Sequence, residues 1–366
     1  MAKKHFEKPF DVGTKAKLEL FRSYLIEWLP TFISSNEKAY WKNIFIYDFF
    51  AGKGKDCENT YGSPLIILEV LNSFEEFISL TDVNINIVFN EKDKKTYECL
   101  IRNVENFKYS NQEKINIHTY NKSFQDLFSE LYPKMLNYDK LPKLMFLDQF
   151  GIKEITNEIF IKLISFKRTD FIFFISSSFV RRFNELPEFQ NYLSITKEQF
   201  IDTKPFHSHK VIFEYYKSLI NTNYMLAPFS IKKGVNIYGL IFGSNHTLGI
   251  EKFLKVAWKI NPNTGDANFN IDEEKIIDGQ LSIFEEENSI KKLGLLDSKV
   301  RSLIIEEKEE SLYRLYHETL NFGCLPKHCN EILRKLEKEK KIGKVSTRTE
   351  KIHNLAPPKD IKVELK

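Results

Sequence analysis

Asn43-Ile-Phe-Ile-Tyr-Asp48-Phe-Phe-Ala-Gly52-Lys-Gly54 is the stretch on which the reading of the fold turns. From Ile44 to Phe50 it is nearly all apolar, which suits a central strand buried on both faces. The glycines at 52 and 54 let the backbone turn tightly and approach a ligand closely. Gly62-Ser63-Pro64 then opens a helix, with Ser63 predicted as its N-cap and Pro64 as its first helical residue. That helix runs on through Leu65, Leu68 and Leu71.

The alternation continues on both sides. Leu18, Phe21, Leu25 and Trp28 or Leu29 recur at helical spacing within residues 14–33. Further strands are expected at Asn84–Asn90, Ile115–Tyr120, Lys143–Leu147 and Phe171–Ile175. Helices are expected between them, at Thr96–Val104, Phe124–Leu136 and Asn157–Ser165. Five strands alternating with helices predict an α/β fold with a doubly wound, mostly parallel, Rossmann-like sheet. After residue 180 the pattern loosens into a polar helical insertion reaching about residue 227. Tyr238–Phe242 reads as another strand, and Ile250, Phe253, Leu254, Ala257 and Trp258 as the stripe of a following helix.

The C-terminal part has a different texture. Asn261-Pro262-Asn263-Thr264-Gly265-Asp266 and the acidic run Glu285-Glu286-Glu287 indicate a linker. Leu312, Leu315, Tyr316 and Leu320 form one helical stripe, ended by Gly323. Cys329, Ile332, Leu333 and Leu336 form the next, opened by Pro326. The second helix carries Lys327, Arg334 and Lys335 on its other face. Gly343 allows a turn into Lys344-Val345-Ser346, read as a wing strand. Helix, turn, basic helix and wing predict a winged-helix domain. The expected organisation is an α/β domain over 1–275, with its insertion at about 180–227, an acidic linker over 276–293, and the winged helix with a basic tail over 294–366.

At 366 residues the chain suits two or three domains. Lys and Arg number 54 against 50 Asp and Glu, and this net charge of +4 is too mild for a nucleic-acid coat protein. With 42% hydrophobic and 14% aromatic residues the chain can bury a sizeable core, which excludes disorder over its whole length. From Leu333 to Lys366 there are 11 Lys or Arg against 5 Asp or Glu, so the tail is locally basic and suited to phosphates or to a protein partner. Four cysteines, at 57, 99, 324 and 329, exclude a disulfide scaffold. Cys324 and Cys329 with His317 and His328 lack the spacing of a zinc knuckle, and Cys329 falls on an apolar stripe, so no metal is expected. The opening MAKKHFEKPFDVGTK has no apolar run, and no stretch approaches the roughly 20 residues that span a bilayer. A soluble, cytoplasmic protein is expected.

The chemistry gathers at strand ends. In open α/β sheets, ligands bind at the C-terminal edge near a switch point. The glycine turn after Asp48 lies there. The second strand ends at Glu91, whose carboxylate can accept both hydroxyls of a ribose. The fourth ends in Asp148-Gln149-Phe150-Gly151. Neither a full GxGxxG nor a Walker A pattern is present. Arg181 and Arg182, after the fifth strand, are candidates for a phosphate-bearing substrate. Ser176, Ser177 and Ser178 read as a loop and helix cap, His207 and His209 as a surface loop, and His246 as a pocket or loop-capping residue.

This set of strand ends resembles a class I S-adenosylmethionine-dependent methyltransferase, in which the first motif often reads DxFxGxG. A narrower resemblance is to the three-Cys-motif partner family, TcmP. It rests on Thr14-Lys15-Ala16-Lys17-Leu18, on Tyr47 to Gly54 followed by Gly62-Ser63-Pro64-Leu65, on Phe146 to Gly151, on Phe242-Gly243-Ser244-Asn245-His246 before Gly249, and on Trp258 to Pro262. The similarity spans roughly residues 10–275, and the C-terminal domain also looks like that family's. The resemblance implies S-adenosylmethionine as cofactor, held by Asp48, Phe50, Gly52, Gly54, Glu91 and Ser123, with Phe124 available to pack on the adenine. It implies Asp148 and Phe150 facing the methyl acceptor. It also implies a phage-type partner carrying a three-cysteine motif, and nucleic acid or that partner on Lys327, Arg334 and Lys335. One position departs: the family's fourth motif looks like DPFG, and Gln149 replaces the proline. The departure leaves the acceptor open and admits an alternative, a non-catalytic binding or adaptor subunit on a degenerate methyltransferase fold.

Overall fold

The structure, a computed structural model, describes residues 8–33, 41–149, 151–190, 192–201, 203–269, 285–345 and 352–366. Phe150 and Ser346 lie outside the described residues. The chain divides into two units, Met1–Tyr224 with Ser230–Asn245, and Met225–Phe229 with His246–Lys366.

In the first unit the order is α1 (Val12–Trp28), α2 (Pro30–Ile33), β1 (Asn43–Asp48), α3 (Ser63–Ser73), α4 (Glu75–Leu80), β2 (Asn84–Asn90), α5 (Lys94–Glu105), β3 (Ile115–Tyr120), α6 (Phe124–Asn137), β4 (Lys143–Leu147), α7 (Asn157–Ser165), β5 (Thr169–Ile175), α8 (Ser177–Phe183), α9 (Pro187–Gln190) and α10 (Ser208–Ser218). β6 (Met225–Lys233) and β7 (Asn236–Ser244) complete a seven-stranded sheet of order β3-β2-β1-β4-β5-β7-β6. β1 pairs in parallel with β2 and β4, β2 with β3, and β4 with β5, while β7 runs antiparallel to β5. The sheet is therefore Rossmann-like and mostly parallel. Its chain order reverses at β1, between β2 and β4, and this switch point is where such sheets take ligands.

Burial explains the strand sequences. Every residue of β4 is buried, and Ile44, Ile46 and Tyr47 of β1 are buried as well, as expected of central strands covered on both faces. Lys143 opens β4 fully buried, and its ammonium donates to the carbonyls of Tyr138, Asp139 and Leu141, at 2.9, 3.2 and 2.9 Å. Burial pushes that lysine down to about 8.

In the second unit α11 (Thr247–Ile260) precedes α12 (Glu285–Ile305), α13 (Leu312–Asn321) and α14 (Pro326–Lys338). The division groups α11 with the C-terminal helices, and the boundary expected near residue 275 lies outside the described residues. Of the linker expected over 276–293, residues 276–284 lie outside the described residues and 285–293 belong to α12. Three short segments meet after α12: Ser311 bridges Lys362 and Ile342 bridges Leu365, both antiparallel. Extended pairing thus falls at Ile342, two residues before the expected wing strand. Trp258 of α11 donates its indole N–H to the Gly323 carbonyl at 2.9 Å. Gly265 has φ +66° and lies against that indole, where a Cβ would approach to 2.7 Å, so only glycine fits.

Candidate functional site

Asp48 ends β1 with no exposed surface. Its Oδ1 accepts from the Phe50 N–H at 3.3 Å, and its Oδ2 is buried with no hydrogen-bond partner. Burial pushes the carboxyl up to about 7. The Ser63 hydroxyl and the Phe50 N–H pull it down, while the charges of Asp148 and Glu91 push it further up. Ser63 is the first residue of α3, and Gly62 holds the N-cap position without a side-chain bond. Ser63, expected at the N-cap, is thus the first helical residue, and its hydroxyl favours the ionised form of Asp48.

The glycine turn is as tight as its sequence implied. Gly52 has φ +61° and Gly54 φ +88°, both in the left-handed region that favours glycine. The Gly62 N–H donates to the Gly54 carbonyl at 2.7 Å, and a Cβ on Gly62 would come within 3.2 Å of that oxygen. Asn103 of α5 donates to the Lys53 carbonyl at 2.6 Å. Asp56 closes the far side of the loop, accepting from the N–H groups of Phe10, Glu58 and Thr60 at 2.8 to 2.9 Å. These donors hold its carboxyl below the ordinary range even though burial opposes them.

Glu91 follows β2. Its carboxylate accepts from the Asp93 N–H at 2.8 Å and also draws on the Gly52 N–H. Burial raises its pKa, with the neighbouring Asp93 charge adding to the rise. Glu91, Gly52 and Asp48 are thereby brought together. Buried Asn90 fixes the same edge, donating to the Phe49 and Lys122 carbonyls at 3.1 Å each.

Asp148, after β4, is ion-paired with Lys17 of α1. The Lys17 ammonium also stands 5.0 Å from the centre of the Phe174 ring of β5. Gln149 is 6% exposed, and its Oε1 accepts from the N–H groups of Glu154 and Ile155 at 3.2 and 3.1 Å. The residue that breaks the DPFG pattern thus organises the loop after β4 through bonds a proline cannot make. Phe150, expected to face the acceptor, lies outside the described residues.

Ser123 caps α6, accepting from the Asp126 N–H at 3.2 Å, and its hydroxyl donates to the Asp126 carboxylate at 2.5 Å. Phe124 is buried against Phe49 and Phe50, with ring centres 5.3 and 5.1 Å apart. Phe50 therefore touches the site through its ring neighbour.

The weaker signals resolve locally. Ser177 is fully buried 3.1 Å from His209 Nδ1, and His209 Nε2 lies 2.9 Å from the Leu240 carbonyl. His209 belongs to α10 and is buried rather than part of a surface loop. It sits over Gly239, where a Cβ would clash at 1.7 Å, and burial pushes it down to about 4. Ser176 holds the N-cap position of α8 without a side-chain bond, and Ser178 ties the helix to its neighbour by accepting from the Ile237 N–H at 2.7 Å. Arg181 reaches the Ser208 hydroxyl at 3.3 Å. His246 caps α11, accepting from the Leu248 N–H at 3.1 Å. Cys324 and Cys329 are buried, and burial pushes both thiols up to about 12. No group of three His, Cys, Asp or Glu suited to a metal occurs among the described residues. Nor is any described helix long and apolar enough to cross a membrane.

Lys327, Arg334 and Lys335 are exposed on α14. Lys335 lies 3.5 Å from the Asp297 carboxylate. Arg301 clamps α14's end, pairing both its terminal nitrogens with Glu339 at 2.6 and 2.8 Å.

Lys17, Asn90 and Asp56 are the site-forming residues that the motifs did not single out. Lys17 stands in a quoted motif, but nothing in the sequence placed it at the site.

No family model matches the chain, and no curated protein matches it. Solved structures overlap it weakly. Trm1 from Pyrococcus horikoshii, in complex with S-adenosyl-L-methionine, is 12% identical, with 76% of this chain and 71% of that one covered at a TM-score of 0.34. The O-methyltransferase TomG from Streptomyces achromogenes, with the same ligand, is 8% identical over 67% of this chain and 98% of that one, at 0.34. An O-methyltransferase from Bacillus cereus, in complex with S-adenosylhomocysteine, is 12% identical over 64% and 91%, at 0.32. Overlaps this weak decide neither substrate nor site, and the strand ends themselves carry the chemistry.

Proposed function

We propose that the first unit binds S-adenosylmethionine in the crevice between the ends of β1 and β4 and transfers its methyl group to a nucleic acid. The observation that carries this reading is Asp48: a fully buried carboxylate with one orphaned oxygen, beside two left-handed glycines, at the switch point of the sheet. A buried acceptor left unpaired costs roughly 1–3 kcal/mol or more, so it marks a place where a ligand donor is expected.

The residues present suit that cofactor. Asp48 offers an acceptor for an amino group, and Glu91, anchored by backbone N–H groups, offers one to ribose hydroxyls. Gly52 and Gly54 leave room for close approach of a ligand to the backbone. Ser123 acts through α6, which it caps, and so supports Phe124. Bound there, the cofactor supplies an electrophilic methyl group. Asp148 orients the acceptor and takes up its proton. Alignment of donor and acceptor contributes most of the rate, and proton removal is secondary.

The second unit supports a winged-helix reading. Its three helices α12, α13 and α14 are joined by antiparallel pairing of residues near 311, 342 and 362–365, and α14 exposes Lys327, Arg334 and Lys335. That face suits phosphates, and it equally suits the phage-type three-Cys partner that the TcmP resemblance implies.

One observation favours the alternative of a non-catalytic adaptor: Lys17 already engages Asp148. Incubating the chain with methyl-labelled cofactor and DNA or RNA, with and without a three-Cys partner, separates the two. Label transferred by the chain alone supports the enzyme. No transfer under either condition, with cofactor still bound, supports the adaptor.

A further inference from the structure

Lys17 lies on α1, outside the strand-end motifs, yet its ammonium meets Asp148 where the chain order of the sheet reverses. β1 and β4 are neighbours, with Asp48 in register with Phe146, two residues before Asp148. Asp148 therefore stands about one strand spacing, roughly 5 Å, to the side of Asp48 and roughly 7 Å further along the strand direction, about 8 Å away in all. The two side chains are 17% and 25% exposed, so solvent screens them incompletely. The Phe174 ring lies beneath the ammonium at 5.0 Å and favours a cation at this spot. Backbone donors meet Glu91 and one oxygen of Asp48, and the other Asp48 oxygen has no hydrogen-bond partner. Lys17 is thus a full positive charge paired directly with one of three clustered carboxylates.

We propose that Lys17 is a specificity-determining residue that sets how strongly the crevice prefers a cationic adenosyl ligand over a neutral-sulfur one. S-adenosylmethionine and S-adenosylhomocysteine differ by one methyl group and one positive charge at sulfur. A fixed charge nearby acts on that difference and leaves the shared adenosine and amino-acid contacts alike. By offsetting Asp148, Lys17 reduces the preference of the carboxylate cluster for the sulfonium. The inference rests on the proposal that the crevice binds S-adenosylmethionine.

The test is calorimetric titration of both ligands into the full chain at pH 8.5, where Asp48 is ionised, for the unmodified protein, Lys17→Met, Lys17→Arg and Asp148→Asn. Lys17→Met should shift the ratio of the two dissociation constants about tenfold toward S-adenosylmethionine, the size expected of one unit charge several ångströms away in a partly exposed site. Lys17→Arg should keep the ratio within about twofold, because the charge is retained. Asp148→Asn should shift it the other way. A lysine that merely holds α1 in place would weaken both ligands alike, and an unchanged ratio in Lys17→Met overturns the proposal. If Lys17→Met does not fold, Asp148→Asn decides it, an unchanged ratio again being fatal. Binding of neither ligand to the unmodified chain, alone or with a three-Cys partner, would refute the cofactor reading itself, and this inference with it.

Discussion

Asp48→Asn separates the cost of the site from its use. The carboxyl is fully buried and raised from 3.8 to about 7, so the folded state holds the Asp48 proton more tightly than the unfolded chain does. For such an acid the sign is unambiguous. Its contribution to stability is whole below 3.8 and is lost progressively as pH rises to about 7. With 1.36 kcal/mol per pH unit between those values, ionised Asp48 costs the fold about 4 kcal/mol above neutrality. An asparagine keeps the shape and carries no charge. In urea unfolding followed by tryptophan fluorescence, the variant should be more stable than the unmodified chain by about 1 kcal/mol at pH 4.5, about 2 at pH 5.5 and about 4 at pH 8. The same variant should lose S-adenosylmethionine binding, since the amide oxygen stays with the Phe50 N–H and the orphaned acceptor becomes an NH2 donor. A stability difference that does not change with pH, or an asparagine variant less stable at pH 8, would refute the reasoning. Either result would mean that Asp48 is paired in a way that makes its charge welcome.

Three smaller perturbations have equally definite outcomes. Gln149→Pro, which restores the DPFG pattern, should destabilise the first unit by about 1–3 kcal/mol, because the N–H groups of Glu154 and Ile155 lose their acceptor; a variant as stable as the parent in thermal melts would contradict this. Gly54→Ala should cost about 1–2 kcal/mol through its left-handed φ and weaken cofactor binding at least tenfold; calorimetry on the folded variant checks the second part. Replacing Lys327 and Arg334 together by Ala should weaken binding of a DNA or RNA duplex and lower the slope of log affinity against log salt by about 1–2; an unchanged slope points α14 toward a protein partner instead.

Much of the sheet is legible in the sequence because its central strands are buried on both faces. Lys143–Leu147 and Asn84–Asn90 read as strands without ambiguity and have those bounds. β6 escapes such a reading: Pro228 interrupts its apolar residues, and a strand that tolerates proline lies at an edge, as β6 does. Asn261-Pro262-Asn263 reads in the sequence as the start of a linker. It is an ordered turn, in which the Asn261 side chain accepts from the N–H groups of Asn263 and Thr264 at 3.0 and 3.2 Å. At the site, Asp48, Gly52, Gly54 and Glu91 are legible because strand ends and glycines mark the crevice. Lys17 is not, since nothing in a helical repeat tells which lysine turns inward. Nor is the role of Ser63, whose hydroxyl could serve a helix end or a neighbouring carboxylate, and only the fold brings Asp48 beside it.

Calorimetric titration of S-adenosylmethionine into the full chain, beside Asp48→Ala, tests the central claim most directly. The account predicts one site of micromolar affinity in the unmodified protein and none in the variant. Binding that survives the loss of Asp48 would contradict the site, and no binding to the unmodified chain, alone or with a three-Cys partner, would contradict the function.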